Sequence, residues 1–90
     1  MNIQRKIVVR GKVQGVGFRN ATWIKAMELE IRGSVRNLDD GSVEILASAT
    51  EKEFKIFGNW CRVGPSNARV DSLQISELDQ TGFTDFSIDY

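Results

Sequence analysis

Arg19 follows a short stretch, Gln14-Gly15-Val16-Gly17-Phe18, whose glycine spacing lets a backbone turn successive N–H groups to one side. Where such a stretch leads from a strand into a helix, the helix start adds a partial positive charge and a small anion can bind. Glycines at this spacing are a weak signal alone, since turns also use glycine simply to reach positive φ. Arg19 strengthens the signal. A cation in a helix's first turn opposes the macrodipole, and a residue that contradicts its local structure points to function. The planar guanidinium can also meet a phosphate through two parallel hydrogen bonds, which lysine cannot copy.

The rest of the composition mostly removes chemistry. The chain contains no His, which excludes Ser-His and Cys-His nucleophile pairs, a His base and a His-ligated metal. Cys61 is the single cysteine, so no internal disulfide forms, and a reducing, cytoplasmic setting is the simpler expectation. Asp39 and Asp40 are adjacent in a turn, point apart, and suit a hairpin better than a metal, which would want further oxygen ligands. Twelve basic and twelve acidic residues give a formal charge of zero, removing any global attraction to nucleic acid or an anionic membrane. Arg5, Lys6, Arg10, Lys12, Arg19 and Lys25 nevertheless all precede Glu28, the first acidic residue. The N-terminal quarter therefore favours a small anion, or else presents a solvated strand face. No apolar run is long enough for a membrane span or a secretory signal.

The elements that must position Arg19 follow from hydrophobic period. Ninety residues suit one domain with one core, here taken as 1–90. Ile7, Val9 and Val13 alternate with Lys6, Arg10 and Lys12, predicting a first strand that ends at the glycine-bearing loop. Phe18, Ala21, Ile24 and Ile31, with Trp23, Met27 and Leu29 filling in, predict a helix from about Phe18 to Leu29. Val35 to Leu38 and Val43 to Ala47 flank Asp39-Asp40-Gly41-Ser42, a strong hairpin signal. Thr50 and Glu53 form a capping box ahead of a second helix with a buried stripe of Phe54, Phe57, Trp60 and Cys61, ended by Gly64-Pro65. Val70, Leu73 and Ile75 predict a further strand, and Phe86, Ile88 and Tyr90 a short last one. Trp23, Phe57 and Trp60 read as core residues, and Cys61 as a small buried hydrophobe. The order β-α-β-β-α-β with two amphipathic helices predicts a ferredoxin-like α+β sandwich: one antiparallel or mixed sheet with both helices on one face.

Two longer segments carry a family resemblance. Gly11-Lys12-Val13-Gln14-Gly15-Val16-Gly17-Phe18-Arg19 resembles the first signature of the acylphosphatase family. Gly33-Ser34-Val35-Arg36-Asn37-Leu38-Asp39-Asp40-Gly41-Ser42-Val43-Glu44 resembles the second. Gly64-Pro65, Ala68-Arg69-Val70 and Phe86-Ser87-Ile88 are similar to the family too, so the likeness covers essentially the whole chain. It implies a ferredoxin-like hydrolase that cleaves the carboxyl–phosphate anhydride of acyl phosphates without cofactor or metal, with inorganic phosphate as product and inhibitor. It further implies a phosphate site from Gln14 to Arg19, comprising Gln14, Gly15, Val16, Gly17, Phe18 and Arg19, with Arg19 and Asn37 catalytic and Asn37 orienting the attacking water. A carboxylate leaves without protonation through a loose transition state, so positioning and charge stabilisation suffice.

The sequence departs from the family pattern at two positions. Glu30 replaces the usual glycine at the end of the first helix, where a left-handed conformation would cost glutamate more than glycine. Ser34 replaces an aromatic residue, which bears on packing and rigidity beside Asn37. A monomer is expected. RNA binding would need aromatic side chains on the open sheet face, where Lys6, Val8, Arg10, Glu44, Leu46 and Ser48 are expected instead. A non-catalytic anion-binding or regulatory module with the same fold is the remaining alternative.

Overall fold

The computed structural model describes all 90 residues. Its elements are β1 (Ile3–Lys12), α1 (Phe18–Glu28), β2 (Arg32–Asn37), β3 (Val43–Ala49), α2 (Glu51–Val63), β4 (Arg69–Glu77) and β5 (Phe86–Ile88). Alternation places Ile7, Val9, Val35, Ile45 and Ala47 on one sheet face, where they join Phe18, Ala26, Phe54, Phe57 and Cys61 from the helices in a single core. The strands lie in the order β4-β1-β3-β2-β5. All neighbours run antiparallel except β2 and β5, which pair in parallel through Gly33–Phe86, Ser34–Ser87 and Val35–Ile88. The architecture is thus the ferredoxin-like α+β sandwich, with a mixed sheet. Tyr90 lies beyond β5 rather than within it.

α2 matches its local chemistry closely. The Thr50 hydroxyl accepts from the Glu53 N–H at 3.2 Å, and the Glu53 carboxylate accepts from the Thr50 N–H at 2.8 Å, a reciprocal capping box. Phe57 is fully buried and packs on Trp60 and on Phe86, with ring centroids 6.4 and 6.5 Å apart. Truncating a ring at such a site costs about 3–5 kcal/mol. Trp60, expected in the core, is half-buried and packs on the core's edge, against Phe18 at 5.8 Å as well as Phe57.

α1 departs from its expected face. Phe18, Thr22 and Ala26 are buried, whereas Ile24 and Met27 are about half exposed and Trp23 is 36% exposed. Apolar content therefore misidentifies the inward stripe. Thr22 can be buried because its hydroxyl donates to the Phe18 carbonyl at 2.8 Å, and Ala26 lets the helix approach the sheet. Trp23 spans the boundary, its indole N–H donating to the Phe86 carbonyl at 3.0 Å. The helix closes with Glu30 N–H on the Met27 carbonyl and Ile31 N–H on the Ala26 carbonyl. Glu30 there takes φ of 57°, the sole non-glycine residue with positive φ, as a residue in this position must.

Ser34 also has a different context from the one expected. It pairs with Leu46 and Ser87, while Gly33 and Val35 on either side are buried. By alternation Ser34 and Asn37 lie on opposite faces of β2, so the missing ring belongs to the open face. On that face Glu44 receives Arg36 at 2.9 Å and Lys6 at 4.0 Å. The residues expected there, Lys6, Val8, Arg10, Leu46 and Ser48, are accompanied by no aromatic side chain in the paired rows. No helix is long and apolar enough to cross a membrane.

Candidate active site

β1 carries a register shift at Arg10 and Gly11 in its pairing with β4, after which the chain leaves the sheet and turns through Gly15 and Gly17 into α1. Both glycines have positive φ, 73° and 76°. A Cβ at either would meet nothing within 4 Å, so backbone conformation rather than close packing calls for glycine here. Gly17 caps α1 in the left-handed region with no side-chain cap, and the first turn has no acidic residue. The first N–H to find a backbone acceptor is that of Ala21, on the Gly17 carbonyl at 3.0 Å. From Gly15 through Asn20 no backbone N–H donates to a protein acceptor. That is a row of donors at a positively polarised helix start.

This row borders a cavity of about 130 Å³, several times the roughly 30 Å³ a water molecule occupies in the liquid and large enough for a phosphate. Val13 and Phe18, each about 1% exposed, lie beneath it; Arg19, Asn20, Asn37 and Tyr90 complete it with Gly15 and Gly17. Arg19 is held by the Asp89 carbonyl, to which Nη1 donates at 3.2 Å, and by the Tyr90 ring, 4.9 Å from the guanidinium carbon. Asn37, the last residue of β2, presents an Oδ1 that is buried yet has no hydrogen-bond partner. Orphaned buried acceptors are rare and call for an explanation. Here the atom belongs to a residue lining the cavity.

The predicted site residues thus divide. Arg19 and Asn37, 18 positions apart in sequence, meet at one cavity together with Gly15, Gly17 and Phe18. Gln14 and Val16 do not line it. The Gln14 side chain donates to the Leu38 and Ser42 carbonyls at 2.7 and 2.8 Å, tying the loop to the β2–β3 hairpin, and Val16 packs on the core. The hairpin is further held by Asp40, whose Oδ1 accepts from the Ser42 N–H at 2.9 Å and from its hydroxyl; these bonds lower the Asp40 pKa below its ordinary 3.8. Cys61 is buried in the core, where desolvation pushes its thiol up to about 12, the state of an inert packing residue. Asn20 and Tyr90 were not evident from sequence. Asn20 could have been found from its place beside Arg19 in the first turn; nothing local marks Tyr90. The other early cations are spread out, with Lys6 on Glu44, Lys25 on Glu28 and Arg10 on Gln74, so the charge asymmetry in sequence is not a patch in space.

Fold and cavity together define a small ferredoxin-like α+β domain with a cavity bordered by unpaired amides where a glycine loop enters a helix. Residues 5–88 match the family model described as acylphosphatase. The chain is 42% identical to the acylphosphatase of Pasteurella multocida over 98% of this chain and 99% of that one. It is 48% identical to that of Marinobacter nauticus over 96% of each. The crystal structure of acylphosphatase from Bacillus subtilis superposes with a TM-score of 0.93 at 37% identity, covering 100% of both chains. The chain belongs to the acylphosphatase family, and with it to the hydrolases of acid anhydrides.

Proposed function

We propose that this cavity hydrolyses acyl phosphates, the reaction for which its family is named, with Arg19 and the amides from Gly15 onward holding the phosphoryl group and Asn37 placing the water. The observation that carries the reading is the meeting, at one phosphate-sized cavity, of a guanidinium, a row of unpaired amides and an orphaned amide oxygen. Charge on the transferring phosphoryl group spreads over its equatorial oxygens, where fixed cationic and N–H donors stabilise it most. Oδ1 of Asn37 accepts a hydrogen bond from the water, and its amide can donate to the incoming oxygen or a phosphoryl oxygen, so one side chain aligns the attack. The bond from phosphorus to the carboxylate oxygen breaks as that to water forms. The carboxylate leaves unprotonated, and the water's proton passes to phosphate or solvent.

No strong base is required, and none of Arg19, Asn20 and Asn37 is one. No group of three Asp, Glu or Cys side chains converges in the fold. Purified protein should turn over benzoyl phosphate with competitive inhibition by inorganic phosphate, and exhaustive chelation with EDTA should leave the rate unchanged. Binding of phosphate without turnover would establish a non-catalytic anion module instead. Loss of rate on chelation, restored by a divalent ion, would overturn the metal-free mechanism.

A further inference from the structure

The guanidinium of Arg19 is restrained by the segment after β5. Nη1 donates to the Asp89 carbonyl, and Asp89 is itself anchored, its N–H donating to the Val35 carbonyl at 2.9 Å. One residue therefore links β2, the strand that ends in Asn37, to the Arg19 side chain. One turn further along α1, the Trp23 indole N–H donates to the Phe86 carbonyl and fastens the helix to β5. The Tyr90 ring completes the arrangement on the guanidinium. That ring is 98% exposed and packs in no core, and Arg19 is its one aromatic or cationic partner. Nε and Nη2 of Arg19 donate to no protein acceptor, and they form an edge whose parallel N–H groups fit two phosphate oxygens.

We propose that Asp89 and Tyr90 clamp Arg19 before substrate arrives, Tyr90 acting as a positioning residue that stacks on the guanidinium while Nη1 is held by Asp89, leaving the Nε–Nη2 edge for phosphate. A free arginine has several rotatable bonds to fix on binding, and restraint beforehand removes part of that cost. The clamp rests on the reading of Arg19 as the phosphate ligand. It adds that the ligand's orientation is set by a residue 71 positions away in sequence.

The test compares the parent with Tyr90→Leu and Tyr90→Phe, using acetyl phosphate so that stacking of an acyl group on the ring does not enter. A cation–π contact at an exposed site is worth about two- to fivefold in an equilibrium. Tyr90→Leu should raise the phosphate inhibition constant and lower kcat/KM by about that factor, and Tyr90→Phe should restore both. In ¹H–¹⁵N spectra the Arg19 Nε–H resonance should move in Tyr90→Leu and stay in place in Tyr90→Phe, with denaturant midpoints alike. A parent-like phosphate constant in Tyr90→Leu, or equal impairment in both variants, overturns the clamp. Arg19→Ala separates the two readings: if it keeps the parent's phosphate affinity, Arg19 is not the ligand. If it loses that affinity while Tyr90→Leu is silent, the clamp alone fails.

Discussion

The two helices of this molecule begin in opposite ways. α2 starts with a reciprocal Thr50–Glu53 capping box, has Glu51 and Glu53 in its first turn, and places Arg62 in its last, all of which suit its own macrodipole and orphan N–H groups. α1 starts at a left-handed glycine with no side-chain cap, no acid in its first turn and a cation at its second residue. Their far ends differ too. α2 runs into Gly64 with φ of 70°, whereas α1 runs into Glu30 with φ of 57°. The same backbone chemistry is thus satisfied internally in one helix and left open to an outside partner in the other. The helix that is less well made by local rules is the one at the cavity.

The largest effect should come from the cation that breaks those rules. Arg19→Ala should abolish measurable turnover and weaken inhibition by inorganic phosphate, because the same fork serves the bound anion and the transition state. Arg19→Lys should recover little. Steady-state kinetics on variants whose circular dichroism matches the parent will check this, and near-normal turnover by Arg19→Ala would end the functional contrast between the helices. Next, Asn37→Ala should lower kcat by about two to three orders of magnitude, the scale of losing one positioned hydrogen-bonding group, with phosphate inhibition nearly unchanged. Equal loss of phosphate affinity in both variants would remove the division of labour.

Smaller effects should fall on stability alone. Thr50→Ala deletes half of the α2 box and should lower unfolding free energy by about 0.5–2 kcal/mol, leaving kcat/KM at the parent value; a kinetic effect would mean that α2's start is not purely structural. The smallest is a gain. Glu30→Gly relieves a left-handed glutamate and should stabilise the fold by about 0.5–1 kcal/mol in denaturant titration. A lower midpoint would show that the rest of the turn already makes Glu30 comfortable.

What the sequence revealed of this contrast followed how local each signal is. The hairpin at Asp39–Ser42, the Thr50 box, the left-handed Glu30 and the glycine loop each rest on residues a few positions apart, and each was legible. The inward face of α1 was not, because burial of Thr22 depends on a hydroxyl bonding back to Phe18, and burial of Ala26 on close approach to the sheet. Meanwhile Ile24 and Met27, which any apolar count would turn inward, remain exposed. Gln14 was placed in the right loop, yet its side chain serves the hairpin carbonyls, a partnership 24 and 28 residues away. Tyr90 reaches Arg19 only after β5 has paired in parallel with β2, and no short-range pattern encodes such a meeting.

Phe18 gives the cavity one more property. The first turn of a helix ordinarily frays, opening at little free-energy cost long before the rest of the molecule unfolds. Here that turn begins with a ring about 1% exposed, packed at a tilt against Trp60 and crowded by Gly64, where a Cβ would come within 2.6 Å of it. The residue before Arg19 is therefore a core anchor, and backbone excursions at the cradle must break the core to occur. Amide hydrogen exchange at Ala21, whose N–H bonds the Gly17 carbonyl, should accordingly approach that of the central strands, and loss of activity on heating should coincide with loss of the whole fold rather than precede it.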